Sequence, residues 1–100
     1  MPSVKFDWHP EKATANEQDH RVSFDEAKTV FNDPLLITFP DEEHSEAEDR
    51  YISIGTSAPN KVLLVIHTER ETAEDTLIIR LISCRKATAS EQKTYEEGED

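Results

Sequence analysis

One stretch of the sequence, residues 76–90, contains no acidic residue but carries Arg80, Arg85 and Lys86. A guanidinium group stays charged at any physiological pH, and its planar fork binds two phosphate oxygens at once. Arg80 interrupts an otherwise apolar run, so its charge must reach water or meet a partner. The stretch is therefore either part of an open, phosphate-binding surface or the site of an ordinary structural ion pair.

Other chemistries have little support in the sequence. The four histidines and one cysteine form neither an HExxH motif nor the Cys/His spacing of a zinc site, and two glycines cannot make a glycine-rich phosphate loop. We therefore expect no metal and no cofactor. Cys84 lies in an apolar run, which predicts a buried thiol. A single cysteine excludes an internal disulfide and is typical of a reducing cytoplasm.

The net charge of −11 is unevenly distributed. Six acids and no base lie within residues 41–49, and four more acids lie within residues 96–100, which leaves 12 acids and 11 bases elsewhere. An evenly spread negative field would repel nucleic acid, but this distribution leaves room for a small local site. The acidic runs are either a solvated loop and a disordered tail, or surfaces that meet a basic partner protein.

Two helices are predicted in the first third of the chain. A proline at position 10 suits the first turn of a helix that should extend to about His20. Ser23 and Glu26 form a capping box that opens the second helix. The apolar residues that follow at helical spacing are Phe24, Ala27, Val30 and Phe31.

The second half of the sequence has the patterning of strands. Residues 35–39, 50–54, 61–69 and 76–84 are β-prone, and residues 6–8 could add an edge strand. A second capping box, Thr88 to Glu91, opens a final helix. Short links predict an antiparallel sheet of four strands, or five with the edge strand, in an α+β domain with two N-terminal helices and one C-terminal helix.

The side chains of the last strand should alternate between the two faces of the sheet. Strict alternation places Arg80 and Cys84 on one face and Leu81 and Arg85 on the other.

The length of 100 residues predicts one domain, residues 1–100. No apolar run approaches the roughly 20 residues that span a bilayer, and the first nine residues lack the apolar segment of a signal peptide. We therefore expect a cytoplasmic protein with no membrane partner.

Many residues in a fixed order point to a known family. They include Phe6, Asp7, Trp8, Pro10, Lys12, Asn16, His20, Phe24, Glu26, Ala27, Asp33, Pro34, Arg50, Gly55, His67, Thr68, Glu69, Arg70, Arg80, Arg85, Lys86, Glu91 and Tyr95. In this order they resemble the BrnT family of small bacterial toxins, the partners of BrnA-type antitoxins in type II toxin–antitoxin systems. The resemblance extends from Phe6 to about Tyr95.

The resemblance implies a RelE-like fold and a metal-independent endoribonuclease that cuts RNA and inhibits translation. Such cleavage needs a base for the ribose 2′-hydroxyl, cations for the charge on phosphorus and an acid for the leaving oxygen. The catalytic candidates are Arg80, Arg85, His67, His20 and Arg50, and the RNA-binding candidates are Lys86, Arg70 and Lys12. For His67 the alternative is a half-buried histidine whose ring is satisfied by a neighbour.

The implied partners are an RNA substrate and a BrnA-like ribbon–helix–helix antitoxin, with DNA contacted only through that antitoxin. The chain departs from the family at Asp19 and Arg21, which replace lysine and glycine on either side of His20. Ala89 and Ser90 stand where the family has arginines, which lowers the expected affinity for RNA. A second hypothesis is therefore an inactive or weak protein-binding module that forms half of a toxin–antitoxin repressor.

Overall fold

The computed structural model describes residues 3–44 and 49–98. The strands are β1 (Ser3–Asp7), β2 (Ile37–Pro40), β3 (Arg50–Thr56), β4 (Val62–Glu71) and β5 (Thr76–Lys86). The α-helices are α1 (Pro10–His20), α2 (Phe24–Ala27) and α3 (Ala89–Glu97), and 3₁₀ helices form at Lys28–Asn32 and Glu42–His44. The predicted α+β class is confirmed. Within the described residues, no helix is long and apolar enough to cross a membrane.

The helix ends follow from local capping. The hydroxyl of Ser23 accepts a hydrogen bond from the Glu26 N–H at 3.0 Å, and Thr88 forms a complete capping box at the start of α3. Arg21 ends α1 with φ at 58°, the left-handed conformation that glycine adopts without strain. Arg21 therefore ends α1 in a conformation that a non-glycine residue adopts less readily.

The five strands form one sheet in the order β1-β5-β4-β3-β2. All neighbouring pairs are antiparallel except β1 and β5, which pair in parallel from Ser3 and Thr76 to Asp7 and Arg80. The prediction of a wholly antiparallel sheet was therefore wrong at this edge. Short links set the direction of β3, β4 and β5, whereas β1 joins a strand far away in the sequence, so no hairpin fixes its direction.

A β-bulge in β5 changes which side chains share a face. Ile66 pairs with Ser83 and His67 pairs with Leu81, which leaves Ile82 as an extra residue in β5. Beyond the bulge the alternation is shifted by one position. The predicted separation of Arg80 from Arg85 was therefore wrong, because the bulge places both on the same face.

The main core lies between the helices and one face of the sheet, which we call the helical face. Its buried residues are Val22, Phe24, Ala27, Val30, Leu63, Val65, Ile79, Leu81 and Cys84. Asn16 fastens α1 to β5, since its Nδ2 donates to the Val22 carbonyl at 3.0 Å and its Oδ1 accepts from the Cys84 N–H at 2.9 Å. The thiol is buried as predicted, and burial raises the pKa of Cys84 to about 11.

The opposite face, which we call the arginine face, carries a smaller apolar cluster of Ile37, Ile54 and Leu64 under α3. Tyr95 fixes the helix there, since its hydroxyl lies 2.5 Å from Asp33 Oδ2 and 3.0 Å from Thr56 Oγ1. Much of the rest of this face remains open. Disorder of the acidic tail, residues 96–100, stays a prediction: Glu96 and Glu97 belong to α3, and residues 99–100 lie outside the described residues.

Candidate functional site

One row of side chains crosses four strands on the arginine face. Arg50 of β3 pairs with Thr68 of β4, Thr68 pairs with Arg80 of β5, and Arg80 pairs with Asp7 of β1. Directly paired residues project to the same side of a sheet, and neighbouring strands lie about 4.8 Å apart. Arg50 and Arg80, two strands apart, are therefore separated by roughly 10 Å at the backbone. Arg70 lies two residues beyond Thr68 and adds a third arginine to this region.

A cleft of about 220 Å³ opens at the end of this row. It is lined by Asp7, Asp49, Thr68, Glu69, Arg70, Ile78 and Arg80. Arg70 and Arg80 are both exposed. Neither of them forms an ion pair with any residue in ranges 3–44 and 49–98. Two guanidinium groups that keep their donors can bind one phosphate, because its oxygens accept the hydrogen bonds of both forks.

Arg50 lies between this cleft and a second one of about 290 Å³, lined by Pro40, Glu42, Asp49, Arg50 and Tyr51. Asp49 lines both clefts, so the two adjoin. Arg50 is half-buried and has an interaction partner of its own. The structure therefore brings Arg50 close to Arg70 and Arg80 but gives it less freedom to move.

Arg85 is held in an ion pair with α3. Its Nη1 and Nη2 donate to the two carboxylate oxygens of Glu91 at 2.7 and 2.9 Å. This fork lowers the pKa of Glu91 to about 2, and the same hydrogen bond raises the pKa of Arg85. Arg85 therefore serves to fix the last helix on the arginine face, and its catalytic role stays a prediction.

Replacing Glu91 with glutamine should loosen this attachment. We expect the free energy of unfolding to fall by about 1 kcal/mol at pH 7, since the partners are partly exposed and water screens the pair. A carboxyl whose pKa is lowered by folding stabilises the fold above its unfolded pKa near 4.5 and loses that effect as pH falls toward 2. The difference between wild type and Glu91→Gln should therefore shrink in that interval.

Urea unfolding at pH 7 and pH 3 measures both effects. Glu97→Gln is the matched control on the same helix, because Glu97 is 67% exposed and only approaches Lys93 at 4.0 Å. If Glu97→Gln lowers stability as much as Glu91→Gln, the fork is not what holds α3.

The side chain of His67 projects from the helical face of the sheet and is fully buried. Its Nε2 and the Ser53 hydroxyl are 2.7 Å apart, and Ser53 in turn lies 2.7 Å from Thr38 Oγ1. Its Nδ1 has no hydrogen-bond partner among the described residues, and Glu69 Oε1 lies 3.9 Å away. Burial lowers the pKa of His67 to about 4, so the ring is neutral at pH 7. The alternative of a half-buried, satisfied histidine was therefore wrong in its burial, since the ring is fully buried, and among the described residues Nε2 has a hydrogen-bond partner whereas Nδ1 has none.

His20 and Lys12 lie together in another groove, along the exposed side of α1. This groove of about 270 Å³ also includes Ile82 and Ser83 of β5. Ser83 is three residues beyond Arg80, which is about 10 Å along a strand. Lys86 is exposed at the end of β5. The predicted residues are thus divided between the two adjoining clefts, the α1 groove, the α3 attachment, the core and, for Lys86, the end of β5.

Several lining residues of the arginine cleft were missed by sequence reasoning. Asp7, Asp49 and Thr68 reach it through strand pairing and strand ends, which no local pattern reveals. The available signal was the position of Asp7 between two aromatic residues in the family pattern. The predicted acidic loop, residues 41–49, lies partly outside the described residues, since 45–48 are not among them. No cluster of three or more metal-ligating side chains occurs in the described ranges.

Comparison with known proteins adds two matches. A family model described as the ribonuclease toxin BrnT of a type II toxin–antitoxin system matches residues 8–91. The crystal structure of the Brucella abortus ribonuclease toxin BrnT has a similar fold, with a TM-score of 0.62 and 22% identity over 86% of this chain and 99% of that chain. A search of curated proteins gives no significant match.

Proposed function

Because the chain belongs to the BrnT family of ribonuclease toxins of type II toxin–antitoxin systems, we propose that it cleaves RNA at the cleft lined by Arg70 and Arg80. The observation that supports this choice is the pair of exposed guanidinium groups in one cleft, neither of which has an ion-pair partner in the described ranges. An RNA phosphate in the cleft would replace water around both groups. Arg50, Lys86, Lys12 and His20 would then contact the flanking nucleotides.

The proposed reaction needs no metal ion. The 2′-oxygen of the ribose attacks the neighbouring phosphorus and gives its proton to a base, while the 5′-oxygen leaves and takes a proton from an acid. Arg70 and Arg80 stabilise the charge that develops on the phosphate oxygens. The products are a 2′,3′-cyclic phosphate and a 5′-hydroxyl end.

Asp7 is our candidate for the base that accepts the 2′-hydroxyl proton. Its position is set by its pairing with Arg80 across β1 and β5, so its carboxylate projects from the same face of the sheet. Carboxylates serve as general bases when they lie within reach of the proton. We propose that His67 positions its neighbours and does not transfer protons, because its side chain is fully buried on the helical face, away from the cleft.

Membership of a type II toxin family implies an antitoxin partner. We propose that this partner is a BrnA-like ribbon–helix–helix protein, which would also make the DNA contacts of the complex. The acidic residues 41–49 are better suited to binding a basic protein partner than to binding RNA. A cytoplasmic location also remains part of the proposal.

Purified wild-type protein should cleave total cellular RNA in the presence of a chelator such as EDTA. The protein is best produced with the product of the adjacent reading frame and then separated from it, since a free toxin arrests the growth of its host. Appearance of 2′,3′-cyclic phosphate ends is the expected result. Intact RNA after incubation with the folded protein would contradict the proposal.

The second candidate function, a weak or inactive binding module, has one observation in its favour. Arg85 is engaged by Glu91, and α3 opens with Ala89 and Ser90 in place of the arginines of the family. Fewer available cations lower the affinity for RNA. The same cleavage experiment separates the two functions, because a binding module would leave RNA intact while still binding its antitoxin.

A further inference from the structure

An apolar groove of about 400 Å³ lies on the helical face, beside β1 and beyond the end of the helical layer. Its apolar lining consists of Val4, Phe6, Phe31, Leu36, Leu77 and Ile79. The Phe6 and Phe31 rings meet at 5.4 Å and form one side of it. The groove is therefore continuous with the main core but open to solvent.

The outer edge of this groove exposes an apolar side chain to solvent. Val4 is 52% exposed, and β1 forms the outer edge of the sheet. Exposed apolar surface of this kind is costly in water and commonly marks a contact with another protein. On this face α1 and α2 pack on β5 and the 3₁₀ helix Lys28–Asn32 packs on β3. The groove begins at the end of that 3₁₀ helix, where Phe31 and Asn32 line it.

The charges around the groove are negative. Glu69 lines it, and Glu71 projects from the same face because its partner across β4 and β5 is Leu77. No lysine or arginine is among the residues that line the groove in the described ranges. Burial also raises the pKa of Glu69, so a cation placed beside it would relieve the cost of its charge. These charges favour a cationic occupant of the groove.

We propose that this groove is the docking site of the antitoxin, and that its occupant is an amphipathic helix. The apolar stripe of that helix fills the groove, and its lysine or arginine side chains meet Glu69 and Glu71. It would extend the layer that α1 and α2 form on the same face. The inference rests on the proposed function only for the existence of an antitoxin.

Two glutamate substitutions at exposed apolar residues test the groove. Val4→Glu places a charge among the lining residues, whereas Leu35→Glu alters a residue that is 69% exposed and does not line the groove. The probe is the product of the reading frame adjacent to the gene of this chain, titrated by calorimetry. We expect Val4→Glu to weaken binding about tenfold or more, and Leu35→Glu to change it less than about twofold.

A second variant tests the charges without touching the apolar lining. Glu71→Lys should weaken binding about threefold to tenfold and reduce the dependence of the dissociation constant on salt. Thermal unfolding of each variant checks that the fold is retained. Unchanged binding by both Val4→Glu and Glu71→Lys would overturn the docking site, as would a partner that does not bind the wild-type chain.

The RNA assay keeps this inference apart from the proposed function. If Val4→Glu impairs RNA cleavage but leaves antitoxin binding unchanged, the groove is part of the RNA path and the docking site is wrong. If wild type cleaves no RNA but the variants lose antitoxin binding as expected, the docking site stands and the proposed ribonuclease activity fails.

Discussion

Replacing Arg80 with alanine should lower the rate of RNA cleavage by about a hundredfold or more. Arg80 lies at the centre of the row from Arg50 to Asp7, and it lines the arginine cleft with no ion-pair partner in the described ranges. Its loss removes a charge-assisted fork from the phosphate as negative charge develops there. The maximal rate should fall more than the apparent affinity, because the interaction strengthens in the transition state.

The free energy of unfolding should change by less than about 0.5 kcal/mol with Arg80→Ala, since the side chain is exposed and forms no ion pair with the described residues. Single-turnover cleavage and urea unfolding of the same preparation measure both quantities. Arg80→Lys keeps the charge but not the fork and should recover only part of the rate. Lys61→Ala, at the opposite end of β4, is the matched control and should cleave at the wild-type rate. Full growth arrest by Arg80→Ala would exclude this cleft as the active site.

Acid should destabilise the protein through His67. The ring is fully buried, and burial holds its pKa near 4, whereas the unfolded chain binds a proton with the ordinary pKa of 6.5. Above pH 6.5 both states are neutral, so the buried ring has no pH-dependent cost. As pH falls from 6.5 to about 4 the unfolded state takes up the proton first, and about 3 kcal/mol of stability is lost. For a domain of this size that is a large part of the total.

Urea unfolding between pH 7 and pH 4 measures this loss. In the His67→Gln variant the free energy of unfolding should depend less steeply on pH, by up to about 1.4 kcal/mol per pH unit, because glutamine has no proton to gain there. His20→Gln removes an exposed histidine and should follow the wild-type profile. An NMR titration of the wild-type ring gives its pKa directly. A value near 6.5 would show that burial of His67 does not cause the loss of stability in acid.

Local features of the fold could be predicted because short stretches of sequence determine them. The first helix has the predicted limits, Pro10 to His20, and Ser23 and Thr88 each cap a helix as predicted. The complete capping box forms at Thr88, whereas at Ser23 the Glu26 carboxylate accepts a hydrogen bond from Ser57 instead. These features depend on the hydrogen bonding of neighbouring residues, which the sequence contains directly. The family resemblance was equally informative, because it depended on the order of many residues rather than on one motif.

Pairing between distant strands could not be predicted in the same way. The parallel edge formed by β1 and the bulge at Ile82 both depend on tertiary packing. A one-residue shift exchanges the two faces of a strand, so the bulge alone changed the expected position of Arg85. The composition of the arginine cleft was hard to predict for the same reason. Arg80 was identified from its residue type, but its neighbours Asp7 and Thr68 depend on register.

The pairing of β1 with β5 also sets the order in which the toxin can mature during its own synthesis. Asp7 emerges from the ribosome early, whereas Arg80 lies in the last strand to be made, and the cleft requires both. A nascent chain that lacks β5 has neither the arginine cleft nor the sheet edge beside the apolar groove. Translation that stops early would therefore release a fragment without the paired arginines, and harmful activity would arise only once nearly the whole domain had been made.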